Sequence, residues 1–120
     1  MSKKILLVDD EVDICKVTKI RLEKMGYEVS VAYSCEDAQE QLKNNMPNLV
    51  LLDLLFPKMS GDEFCKKLKS DANFKHIPVI LFTATASNIM QFCQDCQADD
   101  YVMKPFEKDE LLEKIRRQIS

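Results

Sequence analysis

The chain has 120 residues, of which 46% are hydrophobic, so it can fill one core of ordinary size without metal ions or disulfides. Its net charge of −3 and its lack of a Lys/Arg block argue against direct nucleic-acid binding. No segment is apolar over the length that a membrane span needs, and the N-terminus lacks a signal-peptide pattern, so we expect a cytoplasmic protein.

Five short apolar runs along the chain are typical of buried strands. They cover residues 5–8, 29–32, 49–52, 79–82 and 101–103. The segments between and after them carry apolar residues at helical spacing: Val12, Cys15, Leu22 and Met25, with a second stripe of Ile14, Val17 and Ile20; Ala38 and Leu42; Phe64, Cys65 and Leu68; Ile89, Cys93 and Cys96; and Leu111, Ile115 and Ile119. Strand and helix thus alternate, which predicts a parallel sheet with helices on both faces.

Carboxylates follow two of the predicted strands. Asp9 and Asp10 come directly after the first run, and Asp53 comes directly after the third. Open α/β sheets bind ligands beyond the carboxyl ends of their strands, where the strand order reverses, so neighbouring first and third strands would bring these acids together. Because like charges repel, such a cluster needs a cation, and hard oxygen ligands favour Mg²⁺ over zinc. Each acid also has a simpler interpretation, as a helix cap or a turn residue.

A hydroxyl and an ammonium group are predicted at the same edge of the sheet. Thr83 directly follows the fourth run, and Lys104 follows the fifth. A carboxylate, a divalent cation, a hydroxyl and a lysine suit a phosphoryl group, with Asp53 as the nucleophile that forms an acyl phosphate. Alternatively, Thr83 is an ordinary strand-end hydroxyl, and Lys104 simply precedes the proline that begins the fifth helix.

Four segments of the chain resemble the signature segments of the receiver domain of two-component response regulators. They are LLVDDE, LLDLLFPKMSG, PVILFTA and ADDYVMKPF, and they occur in the family's order over essentially the whole chain. The resemblance implies a doubly wound, five-stranded parallel sheet with the flavodoxin-like strand order 2-1-3-4-5. It also implies that residues 1–120 form a single receiver domain, with no effector domain in this chain.

The resemblance implies a role for each matching residue at the acidic end of the sheet. Asp53 would be the phosphoacceptor, phosphorylated by a sensor histidine kinase or a phosphotransfer protein. Asp10, Asp53 and the backbone carbonyl of Leu55 would bind Mg²⁺ directly, and Asp9 would act largely through a metal-bound water. Such a domain catalyses only its own phosphorylation and dephosphorylation, so we do not expect an enzyme with a separate substrate.

The resemblance also implies a conformational switch. Lys104 would pair with Asp53 or the phosphoryl oxygens, Thr83 would move toward the phosphoryl group, and Tyr101 would turn inward. These movements would reshape the surface of helix four, strand five and helix five for a downstream output protein or effector domain. The sequence leaves open whether that surface forms a phosphorylation-dependent dimer, and it predicts neither a nucleic-acid nor a membrane partner.

Positions around the predicted phosphoryl site refine this picture. Ala84 is small, which allows access to the phosphoryl group, and Leu55 and Thr85 stand where the family tunes hydrolysis. An apolar Leu55 cannot orient an attacking water, so we expect slow loss of the phosphoryl group. Gln97 replaces the glycine usual before ADDY, so helix four must end without glycine's easy left-handed conformation.

Three other functions fit parts of the sequence. An aspartyl-nucleophile phosphatase usually has a second acid two residues after its nucleophile, where this chain has Leu55. A phosphate-independent scaffold that only binds partners would not need the full set of predicted site residues. A nucleotide-binding domain is disfavoured because the chain has no GxGxxG loop.

The cysteines are interpreted as packing residues, and no functional role is predicted for the histidine. Five cysteines are an odd number in a chain without an export signal, which argues against a disulfide framework. Cys93 and Cys96 share a helical face with Ile89, which favours packing over a redox or metal role. His76, the only histidine, precedes the fourth run, and we expect it to be solvated.

Overall fold

The computed structural model describes residues 3–53, 61–83, 89–95, 97–103 and 108–119, with the backbone alone for 61, 62, 83, 89, 90, 92 and 108. The strands are β1 (Lys4–Val8), β2 (Glu28–Ala32), β3 (Leu49–Asp53), β4 (Val79–Thr83) and β5 (Asp100–Met103). The helices are α1 (Val12–Lys24), α2 (Cys35–Asn44), α3 (Gly61–Ser70), α4 (Ile89–Asp95) and α5 (Lys108–Ile119). None of the helices within the described ranges is long and apolar enough to cross a membrane.

The five strands form one parallel sheet in the order β2-β1-β3-β4-β5, which confirms the predicted fold class. Strand β1 lies between β2 and β3, so the strand order reverses there. In the pairing of β1 with β3, Val8 lies opposite Leu52. The residues that follow these two positions therefore emerge side by side at the carboxyl edge of the sheet, where α/β folds place their ligands.

Helices cover both faces of the sheet and enclose two cores. Helices α2, α3 and α4 pack on one face, where Leu6, Leu52 and Phe64 belong to what we call the α2–α4 core. Helices α1 and α5 pack on the other face, where Leu7 and Ile115 belong to the α1/α5 core. Strands β1, β3 and β4 are buried on both faces, which explains their continuous apolar sequences. Each fully buried Leu or Ile side chain contributes roughly 1.5–3 kcal/mol to stability.

Helix α1 buries fewer of its apolar side chains than its sequence predicts. Its buried residues are Cys15, Thr18 and Leu22. The large apolar residues that remain 41–54% exposed on α1 and at its end are Val12, Val17, Ile20 and Met25. A helix on the face of a sheet turns one stripe toward the core, so the two apolar stripes of α1 cannot both be buried. Thr18 lies within the buried stripe, although its polarity conceals it from an apolar pattern.

Helix α1 ends in a hydrogen-bonded motif with glycine at its left-handed position. Gly26 has a φ of +97°. Its N–H donates to the Glu23 carbonyl oxygen at 3.0 Å, and the Tyr27 N–H donates to the Leu22 carbonyl oxygen at 3.2 Å. These two bonds satisfy carbonyl groups that the end of the helix would otherwise leave unbonded, and they define a Schellman motif.

Helix α4 ends in the same motif without glycine. Gln97 takes the left-handed conformation, with a φ of +62°. Its N–H donates to the Gln94 carbonyl oxygen at 3.3 Å, and the Ala98 N–H donates to the Cys93 carbonyl oxygen at 3.0 Å. The sequence predicts that this end closes without glycine, and the structure shows that Gln97 itself takes the strained conformation.

The cysteines in the described ranges are thiols, with Cys15, Cys35 and Cys65 buried. Burial, aided by nearby carboxylates, raises the pKa of the Cys35 thiol to about 11, so this thiol stays protonated and weakly nucleophilic near neutral pH. Cys93 packs against the α2–α4 core, and its Sγ donates to the Ala98 carbonyl oxygen at 3.4 Å. These contacts support the packing interpretation of Cys93, whereas Cys96 lies outside the described residues. His76 is exposed, as predicted.

The two helix ends predict opposite effects of glycine. Gln97→Gly should raise the free energy of unfolding by about 0.5–1 kcal/mol, because relief of left-handed strain exceeds the extra chain entropy that glycine loses on folding. Gly26→Ala should lower it by about 1 kcal/mol through backbone strain alone, since the added Cβ would meet nothing within 4 Å. Urea unfolding of the two variants measures both effects. An unchanged midpoint for Gln97→Gly would contradict the assignment of strain to this residue.

Candidate functional site

Asp9 follows the last residue of β1 and is buried, with 0% of its surface exposed. Its N–H donates to the Ala32 carbonyl oxygen at 3.0 Å and so continues the pairing of β1 with β2. Its Oδ1 accepts the Glu11 N–H at 3.0 Å, and its carbonyl oxygen accepts a hydrogen bond from the Cys15 Sγ at 3.4 Å. These contacts fix the Asp9 carboxylate at the junction of β1 and α1.

Asp53 is the last residue of β3 and is 4% exposed. It pairs in register with Phe82 of β4, so its position is set by the middle of the sheet. A carboxylate at the end of a strand that is buried along its whole length is costly to desolvate unless it is bonded or joined by a counter-charge. The register of β1 with β3 places Asp53 beside Asp9.

The carboxylate oxygens of Asp9, Asp10 and Asp53 lie within 4.8 Å of one another, and we call this group the acidic cluster. Asp10 is exposed, so the cluster opens to solvent on one side. Two carboxylates at this separation repel by roughly 1 kcal/mol in water and by roughly 3 kcal/mol at the effective dielectric of a protein surface. Hard oxygen donors with an open side suit Mg²⁺, which retains several water ligands, better than zinc.

The structure describes some of the other predicted site residues only in part. The Thr83 backbone ends β4 opposite Met103 of β5, but its side chain is not described. Leu55, Ala84, Thr85 and Lys104 lie outside the described residues. The backbone of Thr83 therefore reaches the carboxyl edge of the sheet, and the roles of these five residues remain predictions.

Tyr101 lies on β5 opposite Leu81, is half-buried and packs against the α2–α4 core. The Lys114 Nζ on α5 donates to the Tyr101 carbonyl oxygen and lies 5.0 Å from the centre of its ring. Nothing in the sequence pattern predicts this role of Lys114. Its one local signal is the Glu110–Lys114 spacing, which predicts an ion pair along α5 and not a contact with β5.

A groove of about 240 Å³ lies between α2 and α3. The residues that line it are Gln39, Leu42, Lys43, Phe64, Lys67, Leu68, Asp71 and Phe74. None of them belongs to the acidic cluster or to the predicted phosphoryl site. This groove is therefore separate from the candidate site.

The sequence matches known receiver proteins over nearly its whole length. Residues 5–116 match the family model described as the response regulator receiver domain. The chain is 41% identical over 118 residues to the "probable transcriptional regulator ycf27" of Cyanophora paradoxa, covering 96% of this chain and 47% of that protein. Its namesake in Porphyridium aerugineum is 37% identical over 116 residues, with the same coverage. The chain thus spans about half the length of these relatives.

Solved structures share the fold. A CheY-like response regulator receiver domain protein from Methanospirillum hungatei is 36% identical, with a TM-score of 0.89 and coverage of 98% of this chain and 93% of that chain. The receiver domain of a sensor histidine kinase from Pseudomonas aeruginosa, solved with a magnesium ion coordinated in its active site cleft, is 26% identical, with a TM-score of 0.90 and coverage of 99% and 98%. The chain therefore belongs to the response regulator receiver domains of two-component signalling.

Proposed function

We propose that this receiver domain accepts a phosphoryl group on Asp53 from a sensor histidine kinase or a phosphotransfer protein. The observation that carries the proposal is the meeting of Asp9, Asp10 and Asp53 within 4.8 Å, at the place where the strand order reverses. The family supports it, because phosphorylation chemistry is expected of receiver domains.

The acidic cluster is also the proposed Mg²⁺ site. Asp10, Asp53 and the backbone carbonyl of Leu55 would bind the ion directly, and Asp9 would act through a water molecule. The exposure of Asp10 leaves one side of the cluster open for the remaining water ligands. The Pseudomonas aeruginosa receiver with its magnesium ion supports this assignment by similarity. Bound here, Mg²⁺ would offset charge on the carboxylates and on the transferring oxygens.

In the transfer, an Asp53 carboxylate oxygen would attack the phosphorus atom of the donor. A P–O bond to Asp53 forms while the P–N bond of the donor phosphohistidine breaks, and the released imidazole takes up a proton. Lys104 would pair with the transferred oxygens, and Thr83 would donate a hydrogen bond to them. Ala84 would leave room for the donor to enter. The domain would catalyse only its own phosphorylation and dephosphorylation, with no separate substrate.

Phosphorylation would be read on the surface formed by α4, β5 and α5. Thr83 would move toward the phosphoryl group and Tyr101 would turn inward, and phosphate favours this conformer only by the difference in its interactions with the two states. The reader would be an output protein, an effector domain or, in a phosphorylation-dependent dimer, a second copy of the chain. Relatives named as transcriptional regulators, about twice as long as this chain, support an output partner. We propose a cytoplasmic location, with no direct contact with nucleic acid or membrane.

The charge of the acidic cluster predicts a magnesium-dependent stability. In magnesium-free buffer, Asp10→Asn should raise the free energy of unfolding by about 1 kcal/mol, because it removes like-charge repulsion at the solvated member of the cluster. Millimolar Mg²⁺ should raise the melting temperature of the wild type but leave that of Asp10→Asn nearly unchanged. Asp13→Asn, in the first turn of α1 and outside the cluster, is the matched control. Equal stabilisation of wild type and Asp10→Asn by Mg²⁺ would refute the proposed metal site.

Phosphorylation of Asp53 can be tested without the cognate kinase. Incubation with acetyl phosphate and Mg²⁺ should increase the intact mass of the wild type by one phosphoryl group and leave Asp53→Asn unmodified. Circular dichroism establishes that the variant is folded. Equal incorporation into both proteins would reject the assignment of the phosphoacceptor, and no incorporation into a folded wild type would instead favour a phosphate-independent scaffold.

The residues that flank the phosphoryl group predict a slow decay. Because an apolar Leu55 cannot orient an attacking water, radiolabelled phosphoprotein should persist for minutes in the presence of Mg²⁺. Leu55→Asn should shorten its lifetime several-fold by supplying a polar group, whereas Leu55→Met should not. Thr85, the other tuning position, stays unchanged in these variants. Decay of the wild-type phosphoprotein within seconds would contradict the hypothesis that the phosphoryl group is lost slowly.

A further inference from the structure

The strand that carries Tyr101 is an edge of the sheet. Among the strands of the described residues, β5 pairs only with β4, so its other side faces away from the sheet. Tyr101 extends toward the α2–α4 core, whereas α5 packs on the opposite face of the sheet. A side chain from α5 can therefore reach the Tyr101 ring only by passing around this edge.

Lys114 of α5 makes that contact, and its ammonium group meets three features of β5 at once. The Lys114 Nζ donates to the Tyr101 carbonyl oxygen, lies 3.4 Å from Asp100 Oδ1, and stands 5.0 Å from the centre of the Tyr101 ring. A cation at this distance from an aromatic ring is attracted to its face. The backbone and the ring of Tyr101 are thus held by the same charge.

This ammonium group is shielded more than an ordinary surface lysine. The Lys114 side chain is 20% exposed and that of Asp100 is 22% exposed. On the same helix, the paired side chains of Arg117 and Glu113 are each 63% exposed. Water screens an exposed pair strongly, so Lys114 has a larger effect on its neighbours than Arg117 has. Arg117 therefore supplies a control of equal charge on α5.

The start of β5 is anchored separately, from the other side of the sheet. The Lys69 Nζ on α3 donates to Asp99 Oδ2 at 2.8 Å and to the Ile77 carbonyl oxygen at 2.9 Å. The same Asp99 oxygen accepts the Val79 N–H at 2.8 Å. Two adjacent aspartates thus bind lysines from different helices. Asp99 thus ties the start of the strand to β4 and α3, and Lys114 adds a separate contact with Asp100 and Tyr101.

We propose that Lys114 is a positioning residue for Tyr101, which it holds in the half-buried position from across the edge of the sheet. It stabilises this conformer and so opposes the inward turn of Tyr101 that the proposed switch requires. Lys114 thereby sets how readily phosphorylation reshapes the surface of α4, β5 and α5. This part of the inference rests on the proposed function, whereas the hold on Tyr101 does not.

The position of Tyr101 and the affinity of the phosphoryl site are linked, and this linkage predicts how loss of the Lys114 charge changes that affinity. If Lys114 favours the conformer that binds phosphate less well, removing its charge increases the population of the other conformer. Because coupling between two sites is reciprocal, the phosphoryl site should then bind a phosphoryl analogue more tightly. For Lys114→Met, which keeps much of the aliphatic stem, we expect the dissociation constant of beryllofluoride in the presence of Mg²⁺ to fall several-fold.

The position of Tyr101 can be followed directly. The chain has three tyrosines, so protein labelled with fluorotyrosine gives three ¹⁹F signals that Tyr→Phe variants assign. With acetyl phosphate and Mg²⁺, the Tyr101 signal of the wild type defines the phosphorylated position. Without phosphate, Lys114→Met should move this signal part of the way toward that position. Lys114→Arg keeps the charge and the stacking on the ring, and it should restore both the signal and the analogue affinity.

Two control variants test whether removing a different ion pair changes Tyr101 in the same way as Lys114→Met does. Arg117→Met removes a charge from α5, and Lys69→Met removes the partner of the neighbouring Asp99. Both should leave the Tyr101 signal and the beryllofluoride affinity as in the wild type, although Lys69→Met should lower the melting temperature. Equal behaviour of Lys114→Met and Arg117→Met in both measurements would overturn the proposal.

The test also separates this inference from the proposed function. A wild type that takes up neither phosphate nor beryllofluoride would refute the proposed function. In that case the exposure of Tyr101 decides the hold by Lys114: a soluble paramagnetic agent should broaden the Tyr101 signal less in Lys114→Met than in the wild type, because the released ring turns inward. Equal broadening in the two proteins would refute the hold.

Discussion

The parallel pairing of β1 with β3 is the constraint on which the candidate site depends. It sets Val8 opposite Leu52 and therefore brings Asp9 and Asp53 out of the sheet side by side. A slip of one residue would turn every side chain of a strand toward the other core, so burial on both faces fixes the register. The two cores that hold the sheet together thus also hold three acids together. The free energy gained by burial in the two cores offsets the repulsion between the carboxylates of the acidic cluster.

The ends of the strands and helices carry the features that oppose stability. Like charges meet at the carboxyl edge, and a glutamine adopts a left-handed conformation after α4. Neither feature lies within a core, and the middles of β1, β3 and β4 are apolar and continuous. Real proteins depart from local rules mostly where they function. By that criterion, the acidic cluster and the α4–β5 connection are places among the described residues where a departure from the rules coincides with the proposed site or the proposed output surface.

Much of the fold was predictable because burial on both faces of the sheet makes the central strands continuously apolar, and such runs are visible in the sequence. The convergence of Asp9, Asp10 and Asp53 followed from their places at strand ends, but the strand order came from a family resemblance, since local sequence contains no record of which strands are neighbours. The exposure of Val17 and the burial of Thr18 were missed because apolar spacing cannot rank two competing stripes of one helix. Lys114 was missed for a different reason: its target lies around the edge of the sheet, and no periodicity within α5 reports a contact with β5.

The hydrogen bond from Lys114 to the Tyr101 carbonyl oxygen has a consequence for how this domain meets other molecules. An edge strand whose carbonyl groups are not hydrogen-bonded can pair with a strand of another chain, which is a route to aggregation. The Lys114 ammonium group at this edge occupies one of the carbonyl acceptors, that of Tyr101, and it repels positively charged segments of other molecules. Binding of another molecule at this edge of the sheet therefore depends on side-chain contacts, which are specific for the partner. Backbone pairing, which is not specific, is disfavoured there.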